Sequence, residues 1–213
     1  MNKKTIRNVD FKGRRVVMRV DFNVPIKDGV ITDDTRIQGA LPSIKYILEH
    51  GGSLVLMSHL GRPDGKPDMA YSLRPVAERL ANCLAQPVEF APDALDAKAK
   101  AEALGAGEVL MLENTRFYLA EEGKVKQKEG QSDEEYAKIK AELKAAKQSM
   151  AEKLASYGDI YVNDAFGTAH RDHASTASIC KYMKAKGGAC VAGFLMEKEL
   201  EYLGNAVENP KRP

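Results

Sequence analysis

Apolar residues fall in short, nearly unbroken runs at 16–20, 54–57, 88–90, 109–112, 160–162 and 189–192. Most of these runs lack in–out alternation, the signature of strands covered on both faces and hence of a parallel sheet. The segments between them carry helical spacing. Ile37, Leu41, Ile44 and Leu48 form one inward stripe that closes at Gly51-Gly52. Ser72 is placed to cap a second helix with Val76, Leu80 and Leu84 inward, and Pro75 falls in its permissive first turn. A weaker alanine-rich helix is expected over 95–104. The longest begins at a Ser132–Glu135 capping box. It continues through Tyr136, Ile139, Leu143, Ala146, Met150 and Leu154, which make one apolar stripe. The charged, glycine-containing stretch 121–130 reads as a surface loop, with Lys124, Lys126 and Lys128 solvated. Strand alternating with helix throughout predicts an α/β fold, a doubly wound three-layer sandwich around a mainly parallel sheet of about six strands.

Right-handed crossovers put the carboxyl ends of all strands along one edge, so the residues just after each run are the place to look for chemistry. The first run is followed by Asp21 and Asn23, and then by Arg36. The second is followed by His59 and Arg62, the fourth by Arg116, and the fifth by His170 and Arg171. Taken alone, Asp21 and Asn23 are equally well explained as ordinary turn residues. Four arginines at matched positions are harder to dismiss. They repel one another and stay protonated, so a shared cleft needs solvent or an anion to neutralise it. Guanidinium forks match phosphate and carboxylate oxygens. The implied ligand is small and multiply anionic. His50 and His173 read as structural or surface residues.

The charge balance adds little: the formal net charge is +2 over 213 residues, which forces neither a nucleic-acid nor a membrane partner. Cys83, Cys180 and Cys190 form no CxxC pair and read as free thiols of a cytoplasmic protein. The amino terminus lacks the apolar core of a signal peptide, and no run approaches a membrane span. No P-loop, dinucleotide fingerprint, HExxH or GxSxG pattern occurs. The sequence therefore offers an anion site without an evident nucleotide site, nucleophile or metal centre.

Five segments, RVDFNVP (19–25), LMSHLGRP (56–63), LENTRF (112–117), DAFGTAHR (164–171) and GFLMEKEL (193–200), resemble the N-terminal half of the phosphoglycerate kinase family. The resemblance implies a glycolytic phosphotransferase that moves a phosphoryl group between 1,3-bisphosphoglycerate and ADP, giving 3-phosphoglycerate and ATP. It implies that Asp21 and Asn23 bind the hydroxyl and carboxylate end of the glycerate. His59, Arg62, Arg116 and Arg171 would form the anion-binding patch, with His170 a further member. Arg36 would be the catalytic arginine near the phosphoryl group. The magnesium nucleotide, Mg-ADP or Mg-ATP, would sit on a C-terminal domain of the same polypeptide. Within this chain the resemblance implies a substrate-binding domain over 1–190, and an interdomain helix with the start of a linker over 191–213. A monomer is expected. On this reading the 213 residues form an isolated lobe. It should fold, bind glycerate phosphates weakly and not turn over; the alternative is a non-catalytic module for phosphorylated metabolites.

Overall fold

The computed structural model describes residues 4–208. Its centre is a six-stranded sheet in the order β5-β6-β4-β1-β7-β8, every pairing parallel. The strands are β1 (Arg15–Arg19), β4 (Ser53–Met57), β5 (Glu89–Ala91), β6 (Val109–Leu112), β7 (Ile160–Asn163) and β8 (Cys190–Ala192). A two-stranded antiparallel ribbon, β2 (Ile26–Lys27) with β3 (Val30–Ile31), turns through Asp28-Gly29. The expected runs all became strands, within a residue or two at their ends.

Alternation along each strand feeds two separate cores. Val16 and Met18 of β1 join Leu54, Leu56 and Val162 on one face, covered by α1 (Thr35–Glu49) and α2 (Arg74–Leu84). Val17 joins Val55, Met57, Leu110 and Tyr161 on the other. That face is covered by α3 (Lys98–Glu102), α5 (Asp133–Ala155) and α6 (Ile179–Ala185), with the short α4 (Leu119–Glu122) beside α5. Arg19 falls on this second face in the same alternation and is completely buried.

Helix ends follow the local chemistry. α1 buries Ile37, Leu41, Ile44 and Ile47, and Gly51 takes φ +84° directly after it, so the main chain can turn back into β4. The α2 cap differs from expectation. Leu73 is the N-cap, while the Ser72 hydroxyl donates to Glu113 Oε2 at 2.6 Å instead of leading the helix. The 95–104 helix shrinks to α3, since a run of small and charged residues buries only Ala101. The Ser132–Glu135 capping box forms as predicted. Of the stripe on α5, however, only Met150 and Leu154 are buried, because the sheet lies under the last turns alone. β8 runs directly through Gly193 into α7 (Phe194–Glu208); residues 209–213 lie outside the described ones.

Candidate functional site

The strand order creates the site. β1 is flanked by β4 on one side and β7 on the other, although β4 follows it and β7 comes three strands later. The chain reverses its winding there, and the loops leaving the three strands splay apart to open a crevice. The residues lining that cleft of about 300 Å³ are Asp21 and Asn23 after β1, and Arg36 in the first turn of α1. His59, Gly61 and Arg62 follow β4, Arg116 follows β6, and Gly167, Thr168 and Arg171 follow β7. Seven of the eight residues singled out in the sequence thus meet at one place. His170 is exposed and stands outside the lining.

Each loop is pinned by its own polar residues. Asn114 uses its whole side-chain amide: Oδ1 accepts from Leu60 N (3.2 Å) and Arg116 N (3.0 Å), and Nδ2 donates to Leu60 O (2.7 Å) and Tyr71 O (2.9 Å). Ser58 Oγ accepts from Phe22 N at 2.9 Å and donates to His59 O at 3.0 Å, tying the β1 and β4 loops. Gly61 links two site side chains through its peptide groups. Its N donates to Asn23 Oδ1 at 2.9 Å, and its O accepts from Arg116 Nη1 at 3.1 Å. Gly61 sits at φ +61°, where a Cβ would fall 2.3 Å from the Tyr71 ring. Only glycine meets both demands. Glu113, at the end of β6, turns away from the cleft and accepts from Ser72 and Leu73.

The charges are arranged unevenly. Arg36 Nη1 donates to Asp21 Oδ2 at 2.6 Å, and the arginine side chain is 52% exposed. A pair this open contributes about 0–1 kcal/mol, so a ligand competes for either partner at little cost. Arg116 is nearly buried; its Nε lies 3.2 Å from Glu122 Oε1 without hydrogen-bond alignment. Burial lowers the Arg116 pKa, opposed by Glu122 and reinforced by Arg171 and Arg19, and a guanidinium stays charged regardless. Arg62, Arg116 and Arg171 also wall an adjoining cavity of about 360 Å³, together with Lys124.

His59 differs from the arginines. It is 5% exposed, and burial among Arg19, Arg116, His173 and Arg171 pushes its pKa from the ordinary 6.5 to about 2. Arg19 Nη2 lies 2.9 Å from His59 Nδ1. Arg19 also donates through Nε to Ser175 Oγ at 2.9 Å, and Ser175 donates to the buried carboxylate of Glu121, which takes Ser175 N as well, at 3.1 Å. Glu121 is therefore no part of a surface loop. It ends up completely buried in α4, and the loop proper begins after it. His173, expected to be structural or on the surface, is buried, and its Nδ1 has no hydrogen-bond partner among the described residues. Sequence patterns gave no sign of the links from Arg19 to Ser175 and from Ser175 to Glu121, which span 156 and 54 residues.

Behind the β7 loop, Asp164 is fully buried, and Oδ1 accepts from Leu195 N (3.0 Å) and Met196 N (3.1 Å) at the start of α7. Burial raises its pKa, while contacts with Ser43 and with those two amides lower it. Gly193 is required here, because a Cβ would lie 2.3 Å from Asp164 Oδ1.

Fold and cleft together define a parallel α/β domain with an arginine-lined cleft at its topological switch point. Comparison with known proteins narrows the class. The sequence matches the family model described as phosphoglycerate kinase over residues 6–213. It is 52% identical over its full length to 48% of a phosphoglycerate kinase from Chloroherpeton thalassium, and 53% identical over its full length to 47% of one from Fervidobacterium nodosum. The solved phosphoglycerate kinase of Coxiella burnetii superposes with a TM-score of 0.77 at 37% identity, covering 99% of this chain and 46% of that one. The chain belongs to the phosphoglycerate kinase family, and it spans about half the length of the curated relatives it matches.

Proposed function

We propose that these residues form the glycerate half-site of a phosphoglycerate kinase. The reaction moves a phosphoryl group between the acyl phosphate of 1,3-bisphosphoglycerate and ADP. The observation that carries this reading is the meeting of Asp21, Asn23, Arg36, His59, Arg62, Arg116 and Arg171 around one cleft, in a chain of this family. Asp21 and Asn23 take the hydroxyl and carboxylate end of the substrate. Arg62, Arg116 and Arg171 neutralise its phosphate, and His59 adds a hydrogen bond. Arg36, in the half-exposed mouth of the cleft, stabilises the equatorial oxygens of the group in transfer. The substrate carboxylate is itself the nucleophile, so positioning and charge neutralisation are all that this side needs to supply.

Among the described residues, Asp21 is the one carboxylate lining the cleft, and it is already paired with Arg36. That donor set does not suit Mg²⁺, which prefers an octahedron of oxygens. The magnesium nucleotide belongs on the second lobe of the same polypeptide, and lobe closure would bring the reactants together. The free thiols Cys83, Cys180 and Cys190 fit a reducing, cytoplasmic setting, and a monomer suffices for the mechanism.

Calorimetric titration of the 213-residue chain with 3-phosphoglycerate tests the reading. Weak one-to-one binding is expected, weaker again for glycerate without its phosphate. It should weaken further as salt rises, since the arginines are partly exposed. Arg62→Met should lower affinity by about tenfold or more, the scale of a hydrogen bond to a charged group. Binding that ignores the phosphate, or turnover by this chain alone, would refute the assignment.

A further inference from the structure

We propose that Arg19, buried beneath the cleft and outside its lining, is a positioning residue that holds His59 as a neutral donor, with its single ring proton on Nε2. The first argument is stereochemical. Arg19 Nη2 lies 2.9 Å from His59 Nδ1. A guanidinium nitrogen has only protons to offer, so Nδ1 must accept and the ring proton must reside on Nε2. A doubly protonated ring would set two donors against each other.

The second argument is the direction of the chain that holds Arg19. The Glu121 carboxylate accepts from Ser175 Oγ, so that hydroxyl has used its only proton. It then accepts from Arg19 Nε at 2.9 Å. Arg19 Nη1 donates to Val20 O, leaving Nη2 to meet the histidine. Arg19 is the donor on both sides, outward to His59 and back through Ser175 to Glu121. The positive charge on Arg19 is thus matched by a buried carboxylate instead of being presented to the cleft. Arg19, Ser175 and Glu121 are each completely buried, so water does not compete for these positions.

The third argument concerns the free end of the ring. His59 lines the cleft. Its Nε2 has no protein partner among the described residues, and it is not one of the sealed-off polar atoms. The Nε2–H is therefore open to the cleft. There it can only donate, to a carboxylate or phosphate oxygen. The cleft's positive charge then rests on Arg36, Arg62, Arg116 and Arg171, and His59 contributes direction without charge. This deepens the glycerate half-site reading and rests on it for the identity of the acceptor.

Long-range proton–nitrogen correlation spectra of the ¹⁵N-labelled chain read the ring directly, with His59→Gln supplying the assignment. The expected pattern is a pyridine-like Nδ1 and a pyrrole-like Nε2 that do not titrate between about pH 8 and 5, across the ordinary histidine range. The groups facing the ring are Arg19, Arg116, His173 and Arg171, none of which favours its protonation. A pyrrole-like Nδ1, or a ring titrating near its ordinary pKa, overturns the proposal.

Arg19→Met combined with Glu121→Gln removes the positioning charge without stranding its partner. His59 should then show mixed tautomers and titrate, and affinity for 3-phosphoglycerate should fall by about tenfold. Arg19→Lys keeps a donor for Nδ1 and should restore the tautomer and most of the affinity. An unchanged ring in the double variant refutes a role for Arg19. If that variant does not fold, the wild-type and Arg19→Lys spectra still decide. The expected ring state in a chain that ignores 3-phosphoglycerate supports Arg19's control of His59 and refutes the substrate reading separately.

Discussion

At the scale of single residues, much of the cleft is organised by a group with no side chain. Gly61 donates to Asn23 and accepts from Arg116, so its peptide planes set the spacing between those two side chains. Its φ of +61° and the Tyr71 ring 2.3 Å from any Cβ leave no room for another residue. Gly61→Ala combines backbone strain of about 1–3 kcal/mol with a clash that shifts Tyr71 or the loop. Urea denaturation should show a loss of at least about 1 kcal/mol, and 3-phosphoglycerate affinity should fall as Asn23 and Arg116 lose register. A variant as stable and as tightly binding as the parent would show that the loop is softer than this geometry requires.

At the scale of elements, α5 divides into two parts. Met150, Ala151, Leu154 and Ala155 are buried against the second face of the sheet, while Ile139 is 39% exposed and Leu143 half-buried. A uniform apolar stripe thus meets a support that ends halfway. Without tertiary packing the first turns rely on the Ser132–Glu135 box and on intrinsic propensity. Hydrogen exchange should therefore be graded: amides over 136–146 exchange through local fraying, and those over 150–155 only through global opening. Uniform protection along α5 would contradict this. The same helix shows what was legible in the sequence. Its existence, phase and cap were readable because they are local. Where the sheet stops beneath it was not. The cleft divides in the same way. Asp21, Asn23, Arg36, His59, Arg62, Arg116 and Arg171 were readable because parallel topology gathers strand ends at one edge. Arg19 entered the sequence reading only as the first residue of the RVDFNVP segment, and Glu121 as the start of a charged loop. Their significance lies in contacts with Ser175, 156 and 54 residues away, which no periodicity encodes.

At the scale of the whole molecule, the small net charge of +2 conceals a strongly asymmetric interior. Four arginines face one cleft, and beside them His59 and His173 are buried as neutral rings. Burial lowers the His173 pKa to about 4, with Arg116, Arg19 and Arg171 adding to it, and lowers that of His59 to about 2, against an ordinary 6.5. Proton uptake sets the sign of the stability effect. Between pH 6.5 and about 4 the unfolded chain takes up protons on both rings and the folded chain does not. The unfolded state then binds more protons, so stability falls as the pH falls. Asp164 acts in the opposite sense. Its raised pKa means that the folded state releases its proton at higher pH than the unfolded one, which favours folding on acidification. That is one carboxyl against two imidazoles. The carboxylates with lowered pKa, Asp33, Asp34 and Asp172, lose their contribution only lower, at and below the ordinary carboxylate range. Urea midpoints should therefore decline steadily from pH 6.5 to about 4.5, before general carboxylate protonation begins. His173→Gln, neutral at every pH, should flatten that decline whatever it does to absolute stability, because its slope reports proton uptake and not packing. A flat wild-type profile over this window would mean that the arginine cleft admits enough water to let both rings titrate freely.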